Sequence, residues 1–513
     1  MIAFLKNCWK HRWVRGLASA AAAFVTVWFL FCSWFDWVGA RALKQAMARL
    51  EQEKETLDFR KIVADPVPDD SNFCAIPMLN GIASVEDGDP NKGAAGEKRK
   101  RLESIGVQQL STTPRGATFG VPVDLKPWSD QMRTDNRRAV PDSGDPAKDL
   151  LAMLSKDDAR FAELSTALNR EHSQWTPSWK TRELPVSLFE VQLPHYQALN
   201  RFQQALWLRG VAAARVGDVG KAHESLLIAI RLEEATLQEP FLIGTLVAIA
   251  GSSRITSEVW ELCRAKVGSA ADFVRLQKAL ERCDLHQSAL RAYRSELAGA
   301  ASTVLWMDRV RDPGMFSLMN EEAAGRPPVP GVLVARLIPR GFFTSNAASI
   351  VNLDLDYLVI PARDLGLGGC ARRASEVKQA LQDRQKRSSI TNFMALLTIP
   401  AVSVCQSKIC YAQGQLDQAI AACALERYRL ENGNYPDSLT QVKRSDGRDL
   451  PLDVYSGKPM GYRKTENGRY VLWCTGPDGK DDGGKRVLDP KNPQSTKFSD
   501  PEYQGDWVWD FSR

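Results

Sequence analysis

The chain has 513 residues, 44% of them apolar, which is enough for several domains with ordinary cores. Its 67 basic residues nearly cancel its 61 acidic ones, and a formal charge of +6 over this length gives no ground for a nucleic-acid partner. Five histidines without a HExxH or HxH spacing argue against a histidine-rich metal centre, and ten cysteines without a CxxC pair form no zinc or disulfide framework. Those cysteines read as buried thiols, with disulfides in an exported region as the alternative.

Leu17 to Phe35 is an uncharged run of 19 residues. As a helix it spans roughly 28 Å, close to the thickness of a bilayer core. Lys6, Lys10, Arg12 and Arg15 precede it, and Trp34, Asp36 and Trp37 mark its other end. The charge asymmetry predicts a single-pass inner-membrane protein, with a cytoplasmic N-terminus and an exported C-terminal bulk. A signal peptide cleaved at Ala40-Arg41-Ala42 is the competing reading, but the apolar run is longer than the usual h-region.

Leu43, Met47 and Leu50 recur at helical spacing, so Arg41 to Ile62 is expected to be helical until Pro66 and Pro68. From Val85 to about Pro146 glycine, proline and charge predict an irregular segment, with Lys98-Arg99-Lys100-Arg101 on a solvated loop. Asp145-Pro146 is an N-cap followed by proline at the first helical position, and Ser155 with Asp158 reads as a capping box. Leu206, Gly210 and Ala213, then Ala222, Leu226 and Ala229, predict a close-packed hairpin turning at Gly217. Gly210, Ala222 and Ala229 resemble the small positions of one tetratricopeptide unit, but the aromatic positions, closing proline and further repeats are missing. Ser269 and Asp272 cap a later helix, and the segment reads as all-α to about Leu305. Gly325 to Pro330 reads as a linker. Gly366-x-Gly368-x-x-Ala371 partly matches a dinucleotide fingerprint but lacks the βαβ context, so a glycine-rich turn is expected.

The C-terminal segment predicts a helix through Leu416, Ile420, Ala424 and Tyr428 that ends at Glu431-Asn432-Gly433. A hairpin of Tyr462–Lys464 and Arg469–Cys474 turns at Glu466-Asn467-Gly468, where asparagine and glycine both tolerate positive φ. Tyr470, Leu472 and Cys474 share one strand face, and Gly505 to Asp510 forms a last strand. Between them lies the acidic, glycine-rich loop Gly476–Gly484. The order of Ala424–Pro436, Asp453–Arg463 and this loop resembles the C-terminal part of the major pseudopilin of type II secretion, over roughly the last 100 residues. The resemblance implies a small α+β module and calcium held at the positions matching Asp478, Asp481 and Asp482, with Asp506 a further candidate. Calcium takes about six to eight oxygens, which a glycine-rich loop can turn inward. Lys480, Lys485 and Arg486 offer the alternative of a solvated, self-neutralised turn. The pilin-type N-terminus is absent, which puts filament assembly in doubt. The whole chain is also similar to large membrane-anchored proteins of planctomycete and verrucomicrobial type, a likeness that implies no activity.

The expected fold is mainly α, in five segments: residues 1–40 tail and anchor, 41–144 membrane-proximal helix and linker, 145–325 helical hairpins, 326–405 a mostly helical connection, and 406–513 the α+β module. The expected function is a membrane-anchored, exported scaffold or binding protein with envelope partners. The alternatives are an exported hydrolase or an accessory component of a secretion or pilus-like system. No G-x-S-x-G motif and no catalytic cysteine–histidine pairing supports the hydrolase.

Overall fold

The computed structural model describes residues 12–86, 88–107, 119–134, 142–182, 188–311, 337–403, 405–486 and 505–512. Lys6, Lys10 and the Gly325–Pro330 linker lie outside the described residues. The chain opens with a 41-residue helix, α1 (Arg12–Gln52). Short helices α2 (Gly93–Ile105), α3 (Lys126–Thr134), α4 (Pro146–Leu154) and α5 (Asp158–Thr166) follow. The longer α6 (His195–Val216), α7 (Val219–Leu237), α8 (Leu242–Ala265), α9 (Ala270–Leu280) and α10 (Leu285–Val310) form the central body. After them come α11 (Arg340–Asp354), α12 (Ile360–Lys386), α13 (Phe393–Ser403) and α14 (Cys405–Asn432), with a π-helical turn joining α11 to α12. The strands β1 (Gly461–Lys464), β2 (Tyr470–Cys474) and β3 (Trp507–Asp510) make one antiparallel sheet with β2 in the middle.

Local chemistry explains most helix ends. Asp145 accepts from the Ala147 and Lys148 N–H groups with Pro146 at the first helical position. Ser269 and Asp272 form the reciprocal capping box of α9. Gly217, at φ 80°, closes α6 and lets α7 fold back against it.

Four expectations are corrected. Lys98 to Arg101 lie on α2, not on a loop, and the Arg99 guanidinium is buried against the carbonyls of Ile82, Ser84 and Pro90. Three carbonyls satisfy a donor that would otherwise demand water. Ser155 donates to the Ala152 carbonyl and ends α4, so the next α-helix starts at Asp158. The helix expected to Ile62 stops at Gln52, with a separate turn of helix at Phe59–Ile62. In the β1–β2 turn only Gly468 takes positive φ, because Thr465 pairs with Arg469 across a longer loop.

The apolar half of α1 stands clear of the body, with Leu17, Phe24, Val27, Phe29 and Leu30 exposed. Among the described residues, α1 is the one helix long and apolar enough to cross a membrane. Its second half lies alongside α11. A Cβ on Gly341 would come within 2.2 Å of the Phe35 carbonyl oxygen, so only glycine permits this approach. Asp36 Oδ1 accepts the Gly341 N–H at 2.6 Å, and farther along Arg49 reaches Asn352 and Asp356.

One apolar core runs from Ala46 and Leu50 on α1 through α6–α12 and α14 to Tyr470, Leu472 and Trp509 in the sheet. Helix α14 is buried along most of its length between α8, α9, α12 and the sheet. Gln418 donates to the Trp507 carbonyl at 2.8 Å, and the Trp509 indole donates to Gln415 at 2.7 Å. The C-terminal α+β unit therefore shares its helix with the body. Gly366 breaks α12 at φ 66°, and a Cβ on Gly368 would lie 2.0 Å from the Val454 carbonyl oxygen. Gly366 supplies the positive φ of this kink and Gly368 admits the Val454 backbone, so the expected glycine-rich turn is a kink within a helix. Among the described residues every cysteine is a free thiol.

Candidate functional site

Where α9 turns into α10, facing α14 and the loop that follows it, a cleft of about 310 Å³ opens. Glu281, Asp284, His286, Gln413, Asp417 and Arg444 supply its polar wall. Asp284 is the N-cap of α10, and its Oδ1 accepts from the Gln287 N–H at 2.9 Å. The Oε1 of Gln413 accepts the Leu285 N–H at 3.0 Å, which turns the amide nitrogen toward Asp417 Oδ1, also at 3.0 Å. Glu281 accepts from Gln277 at 2.9 Å and faces Arg444 and Arg448 at 3.8 and 3.4 Å. His286 Nε2 lies 2.7 Å from the Ala362 carbonyl, so that nitrogen carries the proton.

Asp417 is the unusual member. It is only 9% exposed, and burial pushes its carboxyl up to about 7 against the opposing pull of Gln413 and Arg444. The charges of Asp284 and Asp453 push the same way as burial. Cys283 also lines the cleft, but burial and then Glu233 and Glu234 raise its thiol well above the ordinary value. A thiol so placed is a poor nucleophile.

The acids singled out by sequence lie elsewhere. Asp481 Oδ1 accepts the Trp473 indole N–H at 2.9 Å and the Gly483 N–H at 3.0 Å. Asp506 is fully buried and accepts from the N–H groups of Asp482 and Gly484 at 3.1 and 2.8 Å. Burial pushes the Asp506 carboxyl up to about 6, with Asp481 and Asp482 adding repulsion. The structure thus brings Asp481, Asp482 and Asp506 to one loop. Asp478 instead accepts the Lys480 N–H at 3.2 Å and faces Tyr455. Among the described residues no group of three or more His, Cys, Asp or Glu is placed to hold a metal ion.

A further set of acids lies between α6, α7 and α8. Glu233 accepts from Ser252 at 2.5 Å and is pushed up to about 8 by burial. Glu258 presses on Gly210, neither of its oxygens has a hydrogen-bond partner, and burial raises it well above the carboxylate range. Both act as neutral, close-packed side chains at neutral pH. Sequence reasoning passed over Asp417, although one signal was present. From Ile409 to Leu425 it is the only charged residue in a helical run. No protein-family model, curated protein or solved structure matches the chain.

Proposed function

We propose that this is a single-pass membrane protein whose exported body acts as a scaffold or binding protein rather than a catalyst. The observation that carries the reading is the junction of α1 with α11. The apolar half of α1 is exposed, yet the residues just beyond it are built into the body: Phe35 is buried, Asp36 binds the Gly341 N–H, and Gly39 meets Gly341. Cleavage after Ala42 would remove all three and leave a helix N-terminus uncapped, so retention of the anchor fits the packing better than removal of a signal peptide. Arg12 and Arg15 precede the apolar run, which supports a cytoplasmic N-terminus.

A reporter fused after Arg513 and an epitope tag before Met1 test this together. The expected result is a membrane-bound, full-length product carrying both tags, with the C-terminal reporter active only outside the cytoplasm. A reporter active in the cytoplasm, or release of a body lacking the N-terminal tag, would overturn it.

A further inference from the structure

We propose that the cleft between the α9–α10 turn and α14 binds a small organic cation, with an ammonium or guanidinium group seated against Asp417 and Asp284 and an apolar portion lying over Leu367 and Ile420. This goes beyond the membrane-anchored reading and does not depend on it.

Charge is the first argument. Three carboxylates, Glu281, Asp284 and Asp417, face the cleft; Arg444 and Arg448 both meet Glu281, and among the described residues no ion pair reaches Asp284 or Asp417. The Arg444 guanidinium is already engaged with the Asp449 carbonyl at 2.8 Å and turns its other end to Glu281. The His286 Nε2 is spent on the Ala362 carbonyl. Asp284 and Asp417 are therefore the acids left to meet an entering cation.

Asp417 is the second argument. A buried carboxylate is costly unless it is protonated or paired. Asp417 has one hydrogen bond, from Gln413, and among the described residues no cation stands within ion-pair distance of it. It lines the hollow, so an entering cation would meet it directly. Gln413 cannot turn to offer its oxygen instead, because that oxygen is held by the Leu285 N–H.

Size and shape separate an organic cation from a bare metal ion. A calcium ion needs its oxygens converging at about 2.3–2.6 Å, and the described residues hold no such group. The cleft is instead at the small end of the range for small-molecule sites, roughly 300–1,000 Å³. Its lining joins these acids to the apolar Leu367, Ile420 and Val454, which suits a cationic head on a short carbon chain.

The test is isothermal titration of the full chain in detergent micelles with agmatine, with putrescine, and separately with calcium chloride. At least one of the two amines should bind saturably at one site per chain. Asp417→Asn should weaken that binding about tenfold or more, the scale of one lost charge-assisted hydrogen bond. Asp284→Asn should weaken it less, and it keeps the N-cap because asparagine caps as well as aspartate. If Asp417→Asn fails to fold, Asp284→Asn decides, and an unchanged affinity there overturns the proposal. So does the absence of saturable binding by either amine at millimolar concentration. Calcium binding that is lost in Asp417→Asn, without amine binding, would overturn it in favour of a metal site.

Discussion

Asp481 and Asp482 are neighbours in the chain and lie on an exposed loop, whereas Asp284 and Asp417 come from distant helices and meet at one cleft. The first pair lies open to solvent, and Asp481 also accepts the Gly483 N–H. Asp417 at the second site, and Glu233 deeper in the body, have had water removed by helix packing, so these two acids must hold a proton or find a partner. Closeness in sequence therefore marks where charge is cheap. Closeness in the fold marks where charge has consequences.

The sharpest way to break this comparison is pH. Glu233 titrates at about 8 in the fold against a usual 4.5, and Asp417 at about 7 against 3.8. For a raised acid the folded state keeps a proton that the unfolded chain has already lost. Stability is then greatest below the unfolded value, falls as pH rises, and levels off above the folded value. The full chain should lose several kcal/mol between about pH 5 and 8, at up to about 1.4 kcal/mol per pH unit for each such acid. Thermal melting across that range reads it directly. Glu233→Gln should flatten the curve, since the amide replaces the neutral acid without a titration. An identical slope in the variant would show that Glu233 is ionised in the fold.

Next in size is the contrast between the buried and exposed acids of the C-terminal unit. Asp453 is 2% exposed and accepts the Tyr455 and Thr475 N–H groups at 2.9 and 3.0 Å, together with the Ser456 hydroxyl. Asp453→Ala leaves two backbone donors without an acceptor and should cost about 2–4 kcal/mol. Asp482→Ala removes an exposed side chain and should stay within about 0.5 kcal/mol. Melting midpoints of the two variants, compared at one pH, give the ratio. Equal losses would mean that the exposed loop is held by its own carboxylates.

Much of the fold was legible where one short segment settles the matter. The caps at Asp145 and Ser269, the turn at Gly217 and the end of α14 at Gly433 each follow from residues within a few positions. The apolar run of α1 was equally plain. What was not legible depends on burial supplied by distant segments. Arg99 looked like part of a solvated basic run because its carbonyl partners, at Ile82, Ser84 and Pro90, carry no sequence signature. Asp417 was passed over because the cover that buries it, α8, α9, α12 and the sheet around α14, comes from distant segments. The pseudopilin-like order of motifs drew attention to Asp478, Asp481, Asp482 and Asp506, and the cleft has no local motif to compete with them.

The smallest expected effect is calcium at that loop. The calcium reading is a proposal that the loop must rearrange to satisfy. Asp481 Oδ1 would have to leave the Trp473 indole and the Gly483 N–H, and Asp506 would have to leave the N–H groups of Asp482 and Gly484. Breaking those bonds offsets part of the ion's attraction, so a weak, millimolar site is expected. A ligand at a concentration equal to its Kd stabilises the fold by RT ln 2, about 0.4 kcal/mol. The experiment compares melting of the full chain with calcium and with chelator, because a fragment starting at Gln406 would expose the face of α14 that packs on α8 and α9. A small calcium-dependent rise should vanish when Asp481 and Asp482 are both replaced by Asn. A rise that survives the double replacement would place the ion elsewhere. No rise in the unmodified chain would leave Gly476–Gly484 as a solvated acidic turn, its charge balanced by Lys480 and Lys485.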